Sequence, residues 1–292
     1  MFPEILLPIG LSILGAAILL FCVYLLLMRT KRAGEKIAAY RGVNFAHRGL
    51  HGDGAAENSL SAFRRAVEEG FGIELDVRLT KDGEMVVFHD STLKRMCGED
   101  KKVVELTLAQ LREYRLGDTE DTLPTLREVF EVVDGKVPLL IEIKEHQGDH
   151  GVTEKLLSEL EGYTGPYIVE AFNPMSLKTF RKHRRDVPLG ILSEHFCKQK
   201  QHKRSPLHFA LQHMLLNFLS VPDFVAYNHS DAHMPSLKLA RFLFGTVTVC
   251  WTVRSAQDGE TARANGFDGV IFENYIPKDG RADVSKLPKY VK

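Results

Sequence analysis

From Val43 to the end of the chain, short apolar runs alternate with longer amphipathic stretches, and this alternation constrains the fold more than any other feature of the sequence. Eight of the runs have the length of buried strands, and most of the intervals between them carry helical periodicity. Strands that alternate with helices form a parallel sheet, and eight such strands can close into a barrel. We therefore predict an α/β chain whose residues 43–292 form a TIM-like (β/α)8 barrel.

The same pattern places the individual elements along the chain. Strands are expected at 43–47, 72–79, 137–144, 166–171, 187–192, 223–227, 246–252 and 268–272, with a hairpin arm at 84–88. Helices are expected at Ser59–Glu69, Leu126–Val133, Val152–Leu160, Pro174–His183, Pro235–Phe244 and Ala256–Asn265. Ser59 is a suitable N-cap, because its hydroxyl can accept a hydrogen bond from the first turn. An open doubly wound sheet would normally have fewer strands, and the patterns GxGxxG and GxxxxGK(S/T) are absent from the sequence.

The N-terminal end differs sharply from the rest of the chain. After a short leader at residues 1–4, the stretch 5–28 contains no charged residue and is long enough to cross a hydrocarbon core of roughly 30 Å. We predict a transmembrane helix here, followed by a basic, partly helical juxtamembrane linker at 29–42. Cleaved signal peptides carry basic residues before the apolar run, whereas here Arg29 and Lys31 follow it. The positive-inside rule then predicts a single-pass cell-membrane protein with a cytoplasmic catalytic domain.

Charge and cysteine content exclude other kinds of partner and site. Lys plus Arg and Asp plus Glu each number 38, so the chain lacks the basic excess that nucleic-acid binding requires. The four cysteines are widely spaced and form no CxxC pair, which argues against a disulfide framework or a zinc site. We expect no nucleic-acid partner, and the sequence carries no signal for an oligomeric state.

Three carboxylates fall on two of the predicted strands. Glu74 and Asp76 are two residues apart, so they project from one face of their strand, and Glu142 is placed in the same way beside Lys144. Like charges clustered in a barrel mouth are costly unless a cation neutralises them. Oxygen ligands suit a hard cation rather than zinc. We therefore predict one divalent cation, Mg²⁺ or Ca²⁺, bound by Glu74, Asp76 and Glu142.

Further polar residues close the predicted strands at the same end of the barrel. The first strand ends at His47-Arg48-Gly49, and the hairpin arm ends at His89. Imidazoles can transfer protons near neutral pH, and guanidinium and ammonium groups such as those of Arg48 and Lys144 bind phosphate oxygens. Glu57 is an additional candidate site residue, although its position at a predicted helix start also suits a structural role.

The order and spacing of these pieces resemble the glycerophosphodiester phosphodiesterase family. The matching residues are His47-Arg48-Gly49, Glu57-Asn58-Ser59, Glu74-Leu75-Asp76-Val77, Val86-Val87-Phe88-His89-Asp90, Leu123-Pro124-Thr125-Leu126 and Glu142-Ile143-Lys144. The resemblance is strong over 43–145 and continues more weakly to about residue 276, through Ala171-Phe172-Asn173 and Cys250-Trp251-Thr252-Val253. Chance does not assemble six such pieces in register, so the resemblance is specific.

The resemblance implies a metal-dependent phosphoric diester hydrolase that converts glycerophosphodiesters to sn-glycerol 3-phosphate and an alcohol. It implies that His47 and His89 form the acid–base pair. It also implies that Arg48, Lys144 and Trp251 contact the substrate, and that the divalent cation has the carboxylate ligands given above. The nucleophile is either water or a neighbouring hydroxyl of the substrate.

The chain departs from the family pattern in three places. Ala56 stands where family members commonly have Pro, and Ala171 stands where they often have Ser. Glu273-Asn274 follows the last strand in place of the usual Thr-Asp pair. We expect these departures to change the substrate pocket and to leave the metal and proton-transfer groups untouched.

Two other functions fit parts of the pattern. A lysophospholipase D that cleaves membrane lysolipids would suit the anchor and the segment 196–220, which begins with Lys198, Lys200, Lys203 and Arg204 and continues as an amphipathic stretch. The interpretation that we favour for this segment is the barrel helix after the fifth strand. A catalytically inactive membrane scaffold is disfavoured, because an inactive site has no physical reason to keep like charges clustered.

Overall fold

The computed structural model describes residues 2–145, 151–198 and 205–290, with side chains from residue 8 onward. The strands are β1 (Phe45–His47), β2 (Gly72–Leu79), β3 (Met85–Val87), β4 (Leu139–Ile143), β5 (Tyr167–Ala171), β6 (Leu189–Ser193), β7 (Phe224–Asn228), β8 (Val247–Val253) and β9 (Gly269–Phe272). Eight of them pair in parallel in the order β1, β2, β4, β5, β6, β7, β8, β9, and β9 closes on β1. β3 is the antiparallel arm on β2. The predicted TIM-like barrel is confirmed.

The described residues also form eleven α-helices, most of which cover the outside of this barrel. They are α1 (Phe2–Met28), α2 (Glu35–Ala38), α3 (Leu60–Glu69), α4 (Lys94–Cys97), α5 (Leu108–Leu111), α6 (Leu126–Val133), α7 (Val152–Glu159), α8 (Pro174–His183), α9 (Pro206–Gln212), α10 (Pro235–Phe244) and α11 (Ala256–Ala264). Short 3₁₀ turns lie at Val103–Glu105, Phe196–Lys198, Asn217–Leu219, His229–Asp231 and Val284–Lys286. Ser59 caps α3 as predicted, because its hydroxyl accepts a hydrogen bond from the Ala62 N–H.

Two buried layers follow from the alternation of side chains along the strands. The inner layer fills the barrel and includes Phe45, Leu140, Ile168, Phe224 and Val249. Neighbouring residues such as Ile141 and Val169 belong to the outer layer, which packs beneath the helices. Because both faces of the sheet are covered, the strands are almost continuously buried. The carboxylates of the inner face, Glu74, Asp76, Glu142 and Glu170, are buried at the mouth of the barrel.

The segment 196–220 differs from the single helix predicted after the fifth barrel strand. Among the described residues it forms the 3₁₀ turn Phe196–Lys198, the short helix α9 and the 3₁₀ turn Asn217–Leu219. Met214 adopts a left-handed conformation with φ of 58°, which breaks the helical path in the middle of the amphipathic stretch. The basic residues Lys200, Lys203 and Arg204 lie outside the described residues.

α1 is a long apolar helix, and among its described side chains only those of the last turns contact the barrel. Residues Pro8–Met28 are long and apolar enough to cross a membrane, by length and composition alone, and a membrane span and a signal sequence both fit them. Met28 is fully buried, and the Asn217 side-chain amide donates a hydrogen bond to the Met28 carbonyl at 3.3 Å. The last turn of α1 therefore covers the barrel where the segment 196–220 is irregular.

The linker after α1 closes the amino end of the barrel. The Thr30 and Thr246 hydroxyls form a buried hydrogen bond of 2.6 Å. Ile37 of α2 and Tyr40 just after it pack into the inner layer, and the Tyr40 hydroxyl donates to the Tyr167 carbonyl at 3.3 Å. This plug leaves the opposite, carboxyl end of the barrel as the open one.

Candidate active site

A cavity of about 220 Å³ opens among the carboxyl ends of the strands. Its walls are His47, Arg48, Glu74, His89, Glu142, Lys144, Glu170, Phe172, Leu192, Trp251, Thr252, Arg254 and Ile271. This end of a (β/α)8 barrel is where substrates bind in such folds. Most of the sequence-predicted site residues line the cavity, Asp76 contacts its lining residues, and Glu57 lies outside the lining.

Three carboxylates converge at the floor of this cavity. Ligand oxygens of Glu74, Asp76 and Glu142 all lie within 4.8 Å of one another. The parallel register of β2 and β4 places Asp76 directly beside Glu142. The Lys144 Nζ lies 3.0 Å from Asp76 Oδ1 and 2.7 Å from Glu142 Oε1, and the Asn58 side-chain amide donates to Asp76 Oδ2 at 2.9 Å. The alternation predicted from the sequence thus brings these carboxylates together.

The electrostatics of this cluster favour a cation. Burial, followed by the charges of Asp76 and Glu142, raises the pKa of Glu74 well above its usual value. Burial also raises the pKa of Glu142 and outweighs the opposing effect of Lys144. Burial acts in the same direction on Asp76, but Lys144 and other nearby cationic groups outweigh it and lower the pKa of Asp76 well below its ordinary value. The side-chain cations therefore do not offset the effect of burial on Glu74 and Glu142, and a bound cation would act in the opposite direction and lower both pKa values.

His47, at the end of β1, is held by Glu273, which directly follows β9, the strand that closes the barrel on β1. Its Nδ1 lies 2.6 Å from Glu273 Oε2, and its Nε2 lies 4.0 Å from Glu74 Oε2. Burial lowers the pKa of His47 below its ordinary value, although the hydrogen bond to Glu273 opposes this shift. The same hydrogen bond lowers the pKa of Glu273 to about 2. The prediction that Glu273 would leave the proton-transfer groups untouched is wrong, because the end of β9 pairs beside β1.

His89, which follows the hairpin strand β3, is also held by a carboxylate. Its Nδ1 lies 2.6 Å from Asp90 Oδ1, and Asp90 Oδ2 accepts a hydrogen bond from Arg95 Nε at 2.7 Å. The Arg78 guanidinium donates two hydrogen bonds to the His89 carbonyl, at 2.9 and 2.7 Å. With Nδ1 occupied in both histidines, Nε2 is the nitrogen left for a substrate.

Glu57 positions Arg48 instead of lining the cavity. Its Oε1 accepts hydrogen bonds from Arg48 Nη1 at 2.7 Å and from Arg95 Nη2 at 2.6 Å. The backbone turns sharply here, with Arg48 at φ of 56° and Gly49 at φ of 82°. A Cβ on Gly49 would lie 2.9 Å from the Ala62 Cβ, so the turn requires glycine. The turn and Glu57 together aim the guanidinium across the carboxylate cluster, where Arg48 Nε lies 3.4 Å from Asp76 Oδ2.

Glu170 and Phe172 are among the lining residues that the sequence analysis does not assign to the site. Glu170 lies beside Glu142 in the register of β5 and β4, and burial followed by the charge of Glu142 raises its pKa well above the usual value. Phe172 contacts Trp251 edge to face, with ring centroids 5.7 Å apart. Glu170 lies near the end of β5 and Phe172 directly follows the strand, so both side chains point to the same face. The same two-residue spacing predicts the shared face of Glu74 and Asp76.

The comparison with sequence families decides what kind of site this is. A sequence model of the glycerophosphoryl diester phosphodiesterase family matches residues 47–276. The chain belongs to this family. It is 33% identical over 240 residues to a glycerophosphodiester phosphodiesterase of Caldanaerobacter subterraneus subsp. tengcongensis, which covers 78% of this chain and 93% of that relative. The resemblance stated from the sequence is confirmed, and the chain is a phosphoric diester hydrolase of the glycerophosphodiester phosphodiesterase family.

Solved structures of similar proteins agree with this assignment. A glycerophosphodiester phosphodiesterase of Thermotoga maritima superposes with a TM-score of 0.60 at 28% identity, covering 79% of this chain and 94% of that one. A phosphodiesterase of Oleispira antarctica, solved in complex with its product sn-glycerol-3-phosphate, superposes with a TM-score of 0.65 over 80% of this chain and 94% of its own. At 23% identity, this second likeness speaks for the fold alone.

Proposed function

We propose that the chain hydrolyses glycerophosphodiesters to sn-glycerol 3-phosphate and an alcohol, using a divalent cation and a pair of histidines. The observation that carries the proposal is the convergence in one cavity of two carboxylate-anchored histidines, two cationic side chains and a carboxylate cluster. Each kind of group has a task in phosphodiester cleavage, and the family is the one in which this reaction is performed.

Glu74, Asp76 and Glu142 are the proposed ligands of the cation. Their oxygen donors fit a hard ion such as Mg²⁺ or Ca²⁺, and burial together with the neighbouring carboxylates raises the pKa of Glu74, an effect that a bound cation would oppose. When bound, the cation would neutralise negative charge on the phosphate oxygens. Arg48 would bind a non-bridging oxygen, and Lys144 would hold Asp76 and Glu142 in place and contact the phosphate.

Proton transfer falls to His47 and His89 in this proposal. The lowered pKa of His47 keeps it neutral near pH 7, so its Nε2 can take a proton from the attacking oxygen as the new P–O bond forms. His89 then gives a proton to the alkoxide as the bond from phosphorus to the alcohol oxygen breaks. Glu273 and Asp90 hold the two imidazoles in the required orientation through Nδ1. Trp251 would form a wall against which the substrate packs.

Turnover by the purified full chain tests the proposal directly. Soluble glycerophosphocholine, glycerophosphoethanolamine and glycerophosphoinositol are offered with and without EDTA, and sn-glycerol 3-phosphate is measured with a coupled dehydrogenase. We expect the product to form, activity to stop in excess chelator, and Mg²⁺ or Ca²⁺ to restore it. Release of the free phosphate instead of sn-glycerol 3-phosphate, or full activity of metal-stripped protein, would contradict the proposal.

We further propose that α1 is a retained membrane span, with residues 43–292 as the barrel domain in the cytoplasm. Cleavage after a signal sequence would remove Met28 from the core and leave the Asn217 amide without its carbonyl partner. The basic residues Arg29, Lys31 and Arg32 follow the span, which favours a cytoplasmic barrel. Reporter fusions at the C-terminus test the orientation, since a reporter active only in an exported compartment would reverse it.

A second candidate function is lysophospholipase D activity, and one observation favours it. An apolar cavity of about 420 Å³ adjoins the first, and Glu142 and Phe172 line both. Leu207 and Leu211 of α9 and Leu216 form much of its remaining wall. An acyl chain could lie there while the phosphodiester reaches the carboxylate cluster. Lysophosphatidylcholine and glycerophosphocholine at matched concentrations separate the two functions, because a lysophospholipase D would prefer the lysolipid by kcat/KM.

A further inference from the structure

The contacts of the last turns of α1 set its direction along the barrel. Tyr24 and Leu25 pack against the outer layer on the side of the barrel, one turn before Met28, whose carbonyl accepts a hydrogen bond from Asn217 in the segment that leads into β7. Further along the chain, Thr30 bonds to Thr246, the residue before β8, and Lys31 bonds to the loop before β7. The chain therefore passes down the barrel side, from the carboxyl ends of the strands to their amino ends.

Before Tyr24 the helix leaves the barrel. Every side chain from Pro8 to Val23 is exposed. At 1.5 Å per residue, the part of α1 between Phe2 and Val23 is about 33 Å long, and a hydrocarbon core is about 30 Å thick. Because α1 runs toward the amino ends as it enters the barrel, its free part projects beyond the carboxyl ends, which surround the catalytic cavity. No spacer separates this free part from the barrel.

Exposed apolar side chains are found at the same end of the barrel. Met175 is 48% exposed in the first turn of α8, and Leu207 and Phe209 are 57% and 53% exposed in the first turn of α9. Both helices wall the apolar cavity beside the carboxylate cluster. Such side chains are unfavourable in water and favourable at the headgroup boundary of a bilayer, which is how amphipathic helices bind membrane surfaces.

We infer that the carboxyl-end face of the barrel lies on the surface of the lipid bilayer, with Leu207 and Phe209 in the interface and the catalytic cavity opening toward the lipid. The inference rests on the proposed retention of α1 as a membrane span. We assign a bilayer as the partner of this face because the base of the membrane span and the exposed apolar side chains both lie there. A lipid phosphodiester would then enter the cavity from the plane of the membrane, with its acyl chain directed to the apolar cavity.

Fluorescence quenching by brominated lipids tests this orientation. Trp251 is the only tryptophan, so Trp251→Phe gives a silent background. In that background, Phe209→Trp places a reporter on the carboxyl-end face. Phe242→Trp places a matched reporter at the end of α10, which lies at the amino ends of the strands, where Phe242 is 85% exposed. The full chains are reconstituted in vesicles of phosphatidylcholine and phosphatidylglycerol, with or without bromine near the start of the acyl chains.

The expected result is a several-fold loss of emission from the Phe209→Trp reporter in brominated vesicles and no loss from the Phe242→Trp reporter. Leu207→Trp is a second reporter on the same face if the first variant fails to fold. Absence of quenching at both 207 and 209, or stronger quenching at 242, overturns the inference. Failure of the chain to insert, detected by carbonate extraction, overturns it together with the anchor. Neither outcome touches the proposed hydrolysis of soluble diesters, because no substrate is present.

Discussion

The two halves of the barrel mouth have different chemistry. β1, β2, β4 and β5 carry His47, the carboxylate cluster and Glu170, whereas the walls supplied by β6, β8 and β9 include Leu192, Trp251 and Ile271, with Arg254 as a charged residue at their edge. The apolar cavity begins where the two halves meet, because Glu142 and Phe172 line it together with the leucines of α9. The difference separates two tasks. The charged half would act on the phosphodiester that all substrates share, and the apolar half would select the group attached to it.

The two halves also differ in what their burial contributes to the stability of the fold. Burial raises the pKa of Glu74, Glu142 and Glu170, so the charged half is unfavourable until its charges are compensated. Apolar walls are stabilised by the same burial. Substitutions in the charged half should therefore lower the rate for every substrate, whereas substitutions in the apolar half should change the preference among substrates.

The largest effect is expected for Asp76→Ala, which removes the carboxylate that contacts Lys144 and lies within 4.8 Å of the other proposed metal ligands. Loss of metal-assisted charge stabilisation is worth several kcal/mol, so activity should fall by about 10³-fold or more on every diester. Titration calorimetry with Mg²⁺ or Ca²⁺ should show the loss of binding in the same variant. The matched control is Glu131→Ala, a carboxylate exposed on α6, which should keep both properties. Retained metal binding in Asp76→Ala would place the ion elsewhere.

The next effect is expected for the two histidines. General acid–base catalysis contributes about 10²–10⁴-fold, so His47→Ala and His89→Ala should each lose activity on that scale. The losses should be non-additive in the double variant if both histidines act in one step. A nitrophenyl diester has a good leaving group, so it should rescue His89→Ala and leave His47→Ala impaired. Rescue of His47→Ala instead would exchange the two roles.

Glu273→Gln should have a smaller effect with a signature in pH. Orienting partners of this kind typically contribute about 10–100-fold, and the maximal rate should fall within that range. Burial lowers the pKa of His47, and the hydrogen bond to Glu273 raises it in part, so removing the carboxylate should lower it further. Because the base must be neutral, the acid limb of kcat/KM should lie below pH 6.5 in the parent chain and shift to lower pH in the variant. An unchanged or raised acid limb would mean that Glu273 does not act through His47.

Most residues of the charged half could be predicted from the sequence, because the local periodicity of the strands determines which side chains face the site. The two-residue spacing of Glu74 and Asp76, and of Glu142 and Lys144, together with the apolar residues that flank them, places these carboxylates on one face of their strands. The contact between His47 and Glu273 could not be predicted in this way. It joins residues 226 positions apart and depends on the pairing of β9 with β1, which no local pattern encodes.

The apolar half was harder to predict for a different reason. The stretch 207–219 has the periodicity of one amphipathic helix, yet it breaks at Met214, and the last turn of α1 packs against the turn Asn217–Leu219. Helical periodicity reports which residues are apolar. It does not report that another helix will occupy part of the surface, so the apolar cavity beside the site depends on packing that no local pattern encodes.

The smallest effect, and the one that tests the division most directly, is expected for Leu211→Ala in the wall of the apolar cavity. Apolar contacts of one or a few methylene groups discriminate between substrates by 1–3 kcal/mol, so kcat/KM for a lysolipid should fall by about 10-fold or more. Hydrolysis of soluble glycerophosphocholine should be unchanged, because this substrate has no acyl chain to fill the cavity. Leu243→Ala removes a leucine of similar kind at the far end of α10, and should affect neither substrate. Equal losses on both substrates would mean that Leu211 supports the charged half through packing, and the division between reaction and selection would then fail at this wall.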